Sequence, residues 1–167
     1  MTNVRDDVTR TKVHGKGAFT ADYSPVSSYD GNQVADGLVG GTICDLFQRT
    51  ATVFAHEVAL QTGDGAVRWT YREYRERVER AAAGLHGLGL RSGDSLALWM
   101  SNRPEFHVAD MAAVHVGATP FSVYNTLALE QAIEVIGDSG ARLLVTEHAY
   151  LDSALAVRNS ETTSVEL

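Results

Sequence analysis

The stretch GDSLALWMSNRPEF, Gly93 to Phe106, holds a turn, a short apolar run, and a polar corner that opens a further element. Its apolar run, bounded by turn residues, predicts a strand over Ser95–Met100. Pro104 suits a first helical position, because its missing N–H is one that no helix would use there, so a helix is expected from Pro104 to near Gly117. Downstream the rhythm repeats. Thr119–Tyr124 reads as a strand, Thr126 as the cap of a helix running through Ile136, and Arg142–Thr146 as a final apolar strand. Crossovers of this length join parallel strands, so the fold class is α/β, a parallel sheet with flanking helices.

Upstream, TYREYRERVERAAAGLHGLG changes to a helical period, with Tyr71, Tyr74, Val78, Ala81 or Ala82, and Leu85 on one side. Thr70 and Glu73 form a capping box, and Gly87 is a natural stop. The opposite face pairs Glu73 with Arg77 and Glu76 with Arg80, which marks a solvated surface rather than a binding patch. Before it, Glu57–Thr62 and Val67–Trp69 flank a Gly63-Asp64-Gly65 turn as a loose hairpin. A first helix starts at Thr42, which caps it with Asp45, and places Ile43, Leu46 and Phe47 on one face. Residues 1–41 are polar and aperiodic and are expected to form a flexible leader.

The chain has 167 residues, 44% of them hydrophobic and 21% charged, enough for one domain with a core. A net charge of −7 excludes the clustered basic surface that a nucleic-acid binder uses. Cys44 is the only cysteine, so neither an internal disulfide nor a cysteine metal cluster can form, and it reads as a small, reduced, buried hydrophobe. No apolar run reaches membrane-spanning length and the first residues do not resemble a signal sequence, so a cytoplasmic location is expected.

Ligands of parallel sheets gather beyond the carboxyl ends of the strands, which directs attention to Ser101, Asn102 and Arg103 at one corner and to Asn125 and Thr126 at the next. Two readings of the first corner stand: a helix cap with a solvated arginine, or a contact to a phosphate or carboxylate. Other candidates are weaker. Gly137-Asp138-Ser139-Gly140 spells a protease-like GDSG, but it closes an apolar helix face formed by Leu129, Ala132, Ile133 and Ile136 and reads as a helix stop. Gly87-Leu88-Gly89 ends a helix, the wrong context for a dinucleotide fingerprint, and a Walker motif is absent. His107, Asp110 and His115 share a helix but lack the convergence a metal needs, so no metal ligand is assigned. From the residues alone no catalytic constellation emerges.

WTYREY, Trp69 to Tyr74, resembles the first signature of the AMP-forming adenylating enzymes, the superfamily of acyl-CoA synthetases, with Tyr74 in place of a leucine. GLHGLGLRSGDSLALWMSNRPEF is similar to the next stretch of that family, and AAVHVGATPFSVYNT, Ala112 to Thr126, to its second signature. With GDSGARLLVTE these segments look most like the long-chain fatty-acid CoA ligases. The resemblance implies activation of a fatty acid with ATP to an acyl-adenylate and transfer to coenzyme A, assisted by Mg2+. It also implies that the phosphate loop, ribose-binding aspartate, hinge and catalytic lysine come later than anything in this chain. The expectation is therefore an N-terminal fragment: residues 42–152 as the first part of the ligase domain, 153–167 as a truncated tail, no catalytic residue, no cofactor held by this chain alone, and self-association through an exposed sheet edge. The alternative is a free-standing, non-catalytic α/β binding or interaction module.

Overall fold

A computed structural model describes residues 42–165, and the expected leader lies outside them. Helix α1 (Ile43–Val53) starts at Thr42, whose hydroxyl accepts the Asp45 N–H at 3.1 Å. Strands β1 (Val58–Gln61) and β2 (Arg68–Thr70) pair antiparallel, with a register shift between Val58 and Leu60 that accounts for the looseness of the hairpin. Helix α2 (Tyr71–Gly87) begins with the full capping box: Thr70 Oγ1 accepts the Glu73 N–H at 3.3 Å, and Glu73 Oε2 accepts the Thr70 N–H at 2.8 Å.

The parallel sheet consists of β3 (Ser95–Trp99), β4 (Thr119–Ser122) and β5 (Leu143–Thr146) in the order β4-β3-β5. Ser95 to Leu98 pair with Thr119 to Ser122, and Leu96 to Trp99 pair with Leu143 to Thr146. Helix α3 (Pro104–Val116) has Pro104 in its first turn as expected and ends at Gly117, whose φ of 82° only glycine adopts without strain. A Cβ there would also stand 2.8 Å from Ser92 Oγ, so any side chain would both strain the backbone and push Ser92 aside. Helix α4 (Leu129–Ser139) joins β4 to β5, and a 3-10 turn (His148–Tyr150) leads into α5 (Leu151–Arg158).

Alternation along β3 divides the interior into two cores. Leu96 and Leu98 pack with Phe47, Tyr74, Val78 and Leu85 from α1 and α2, and with Ala109, Ala112 and Ala113 of α3. Ala97 and Trp99 point the other way, into Ala132 and Ile136 of α4 and Ala154 and Val157 of α5. Full burial of a leucine is worth roughly 1.5–3 kcal/mol, so the four buried positions of β3 tie the two cores together.

Two expectations are corrected. Thr126 does not cap α4: a turn closed by the Leu127 N–H on Tyr124 O (3.2 Å) tucks Leu127 against the second core and delays the helix, whose first turn is held instead by the Ala128 N–H on Gln131 Oε1 (3.2 Å). After the sheet, α5 packs Ala154 and Val157 into the interior. On α2 the ion pair is Arg75–Glu79 at 3.8 Å. Glu73 is taken up by the cap and Arg77 lies 4.3 Å over the Trp69 ring, a cation–π contact.

Candidate functional site

Helix α3 leaves β3 toward the Leu96 and Leu98 side, and α4 leaves β4 toward the Ala97 and Trp99 side. The chain therefore diverges between the carboxyl ends of two adjacent strands, the place where open α/β sheets leave a crevice. There a cleft of about 250 Å3 is lined by Met100, Ser101, Asn102 and Phe106 on one bank and by Ser122, Val123, Tyr124 and Asn125 on the other. Of the residues singled out from sequence, Ser101, Asn102 and Asn125 meet at this cleft; Thr126 is not among its lining residues. A second, wider cleft of about 740 Å3 separates the hairpin turn, Gln61 to Asp64, from Asn102, Arg103, Pro104 and His107. Asn102 lines both.

The corner between the clefts is tied down by Glu147, at the end of β5. Its Oε1 accepts the Ser101 N–H at 2.9 Å, and its Oε2 accepts Ser101 Oγ–H at 3.2 Å and Arg103 Nη1–H at 2.8 Å. Arg103 Nε–H donates to Glu105 Oε2 at 2.7 Å. The guanidinium holds Glu147 below the ordinary carboxylate range, with the Ser101 N–H assisting, and it lowers Glu105 in the same way. Arg103 in turn is driven further toward its charged form, first by Glu105 and then by Glu147. One positive charge already faces two negative ones here, so Arg103 is not a free anchor for an anion. Nor does a Ser101 or Asn102 side chain cap α3: Arg103 occupies the cap position without a side-chain bond, and the Ser101 hydroxyl is spent on Glu147. The corner is a clasp, and sequence reasoning missed its central residue.

The histidine group disperses. His107 lines the wider cleft. His115 turns toward α1: its Nδ1 lies 2.8 Å from Met111 O, an atom that can only accept, so Nδ1 carries the proton and Nε2 accepts from the Gln48 amide at 3.2 Å. Asp110 is pushed upward by burial, opposed by His107. Among the described residues no group of three or more histidine, cysteine or acidic side chains could hold a metal. Ser139 Oγ donates to Ile136 O at 2.7 Å and accepts the Ala141 N–H at 3.1 Å, closing α4 ahead of the left-handed Gly140, so GDSG is a helix stop. Cys44 is half-buried, donates to Val114 O at 3.5 Å, and has its thiol pKa raised by burial and by Asp45. Tyr74 fills the position where the resembling signature has leucine. Its ring stands edge-on to Phe47 and its hydroxyl donates to His107 O at 2.9 Å, while burial pushes its pKa up to about 12.

A three-stranded parallel sheet, helices on both faces and a crevice at the divergence point define an α/β subdomain. Residues 47–166 match the family of AMP-binding enzymes, and the chain belongs to that family. An uncharacterized protein of Mycobacterium tuberculosis is 48% identical over 115 residues, which are 69% of this chain and 66% of that protein. The N-terminal domain of FACL13 from the same organism superposes with a TM-score of 0.67 at 26% identity, covering 71% of this chain and 31% of that one. A fatty acyl CoA synthetase of Mycobacterium tuberculosis gives 0.66 at 26% identity, over 71% of this chain and 24% of that one. The chain thus spans about two thirds of the first relative and about a quarter of the synthetase. Its fold matches part of the N-terminal subdomain of adenylate-forming enzymes. Among the described residues no helix is long and apolar enough to cross a membrane.

Proposed function

We propose that this chain is the N-terminal portion of a cytoplasmic AMP-forming ligase that activates a fatty acid, of the long-chain class, to an acyl-adenylate and passes it to coenzyme A, and that the 167 residues do not catalyse this alone. The match over residues 47–166 carries the reading, and the similarity to a fatty acyl CoA synthetase supports the substrate class. It disfavours a free-standing interaction module, which has no reason to preserve a ligase's order of segments. Among the described residues, those at the two clefts do not fit ATP with Mg2+. Glu105 and Glu147 are committed to Arg103, and the only lysines, Lys12 and Lys16, precede the family match. Without groups at these clefts to hold a triphosphate, neither positioning nor charge stabilisation can act there on phosphoryl displacement. What this chain contributes is one wall: the β3 and β4 ends and the clasped corner that holds Asn102 between two clefts.

Two assays test this. The chain alone should give no fatty-acid-dependent exchange of pyrophosphate into ATP above a no-protein control; exchange would overturn its proposed inactivity. Residues 42–165 grafted in place of the matching part of the Mycobacterium tuberculosis fatty acyl CoA synthetase should restore exchange with long-chain acids. A soluble, folded graft that stays silent would count against the ligase assignment.

A further inference from the structure

The wider cleft has two braced banks. On the hairpin side, Thr62 Oγ1 accepts the Val67 N–H at 3.0 Å and Asp64 Oδ1 accepts the Ala66 N–H at 3.0 Å, which closes the turn from within. Opposite it, Arg103 is held by Glu105 and Glu147, and the first turn of α3 is tied to α2 where the Tyr74 hydroxyl donates to His107 O at 2.9 Å. A leucine at position 74 could not make that tie.

These bonds engage Thr62, Asp64 and Arg103 and leave three neutral groups over. Gln61, Asn102 and His107 line the cleft, and among the described residues none of their side chains makes a hydrogen bond within the protein. A carboxamide or a neutral imidazole offers both a donor and an acceptor. Leu60, Val67 and Pro104 supply apolar surface beside them.

Charge narrows the class of ligand. Arg103, the one arginine or lysine of the lining, already faces two carboxylates, and Asp64 adds a third negative charge on the other bank. A phosphate or carboxylate finds no free cation here. Size narrows it further, since about 740 Å3 lies in the range of cavities that take small organic ligands rather than single ions. Side-chain amides of asparagine and glutamine pair bidentately with the adenine edge, accepting from N6 and donating to N7. Two amides on opposite banks can share one base, because the N6 amino group carries one hydrogen beside N7 and another beside N1.

We infer that the wider cleft binds an uncharged adenine nucleoside, with Gln61 and Asn102 pairing with the two edges of the base and His107 as a further contact, and that it discriminates against the 5′-phosphorylated forms. This preference is the reverse of what a triphosphate site requires, so the inference does not rest on the proposed ligase activity.

The test is a nuclear magnetic resonance titration of the full chain at low salt with adenosine, AMP and ATP in turn. It follows the side-chain amides of Gln61 and Asn102, with Asn125 of the narrower cleft as the control. Adenosine should shift the Gln61 and Asn102 signals saturably and leave Asn125 in place. AMP should bind about threefold more weakly, and ATP more weakly still, since each phosphate meets carboxylates with no spare cation. Gln61→Ala and Asn102→Ala, which remove exposed side chains, should each weaken adenosine binding about tenfold. Asp64→Asn keeps the acceptor for the Ala66 N–H and should narrow the gap between adenosine and AMP. Four results would overturn the inference: no saturable shift with adenosine, tighter binding of AMP than of adenosine, a shift at Asn125 in place of the other two, or alanine variants that bind like the parent.

Discussion

Replacing Glu147 by glutamine keeps its shape but converts one acceptor oxygen into a donor, which must then face the Ser101 N–H or the Arg103 guanidinium. Loss of these bonds should cost about 1–2 kcal/mol of unfolding free energy at neutral pH. The sign of the pH dependence follows from the direction of the shift. Glu147 is held below its ordinary value of 4.5, so its contribution is complete above that value and fades as pH falls through the lower folded one. Urea unfolding of Glu147→Gln and the parent should therefore differ most near pH 7 and converge in acid. Equal stability at pH 7 would show the clasp to be ornamental. The position of Ser101, Asn102 and Arg103 was legible because a strand followed by Pro104 must turn there. Glu147 was not, since it lies 46 residues from Ser101 and only the parallel alignment of β3 with β5 brings them together.

Helix α2 tests how far local grammar carries an element. Thr70 ends β2 and caps α2, and its two reciprocal bonds with Glu73 fix the angle at which the hairpin enters the helix. Thr70→Ala should lower stability by about 1 kcal/mol, and Thr70→Ser should recover most of it, as followed by thermal or urea unfolding. If serine and alanine behaved alike, the methyl group rather than the cap would be the stabilising part. Elements of this kind were readable because cap, apolar stripe and glycine stop lie within one turn of the positions they govern. Helix α5 was not readable for the opposite reason. Its inward residues, Ala154 and Val157, are small and buried only by α4 and the sheet, and its larger Leu151 is exposed, so the sequence carries no strong stripe. Thr126 misled because a threonine before an apolar run has the pattern of a cap whether or not a turn intervenes.

On the scale of the whole molecule, the two cores share β3, and this makes a prediction about cooperativity. The two tryptophans report on different layers: Trp69 lies on the hairpin under Arg77, and Trp99 is buried in the α4 and α5 core, stacked on Tyr150 at 5.9 Å. Single-tryptophan variants, Trp69→Phe and Trp99→Phe, separate the two signals. The second loses little polar bonding, because the Trp99 indole N–H is buried without a partner. Within each variant, the remaining fluorescence and the far-ultraviolet circular dichroism should give one urea midpoint, as a two-state domain requires. A sharper form uses Ile136→Val, a cavity of one methylene in the second core at a side chain 1% exposed. Its cost, roughly 1 kcal/mol, should lower the midpoint seen by Trp69 as much as the one seen by Trp99, although Ile136 belongs to the other core. The reason is that β3 cannot lose its Ala97 and Trp99 contacts while keeping its Leu96 and Leu98 side in place. If Trp69 held its midpoint while the Trp99 signal moved, the hairpin layer and the α4 and α5 layer would be separate folding units, and the parallel sheet would not be the element that joins them.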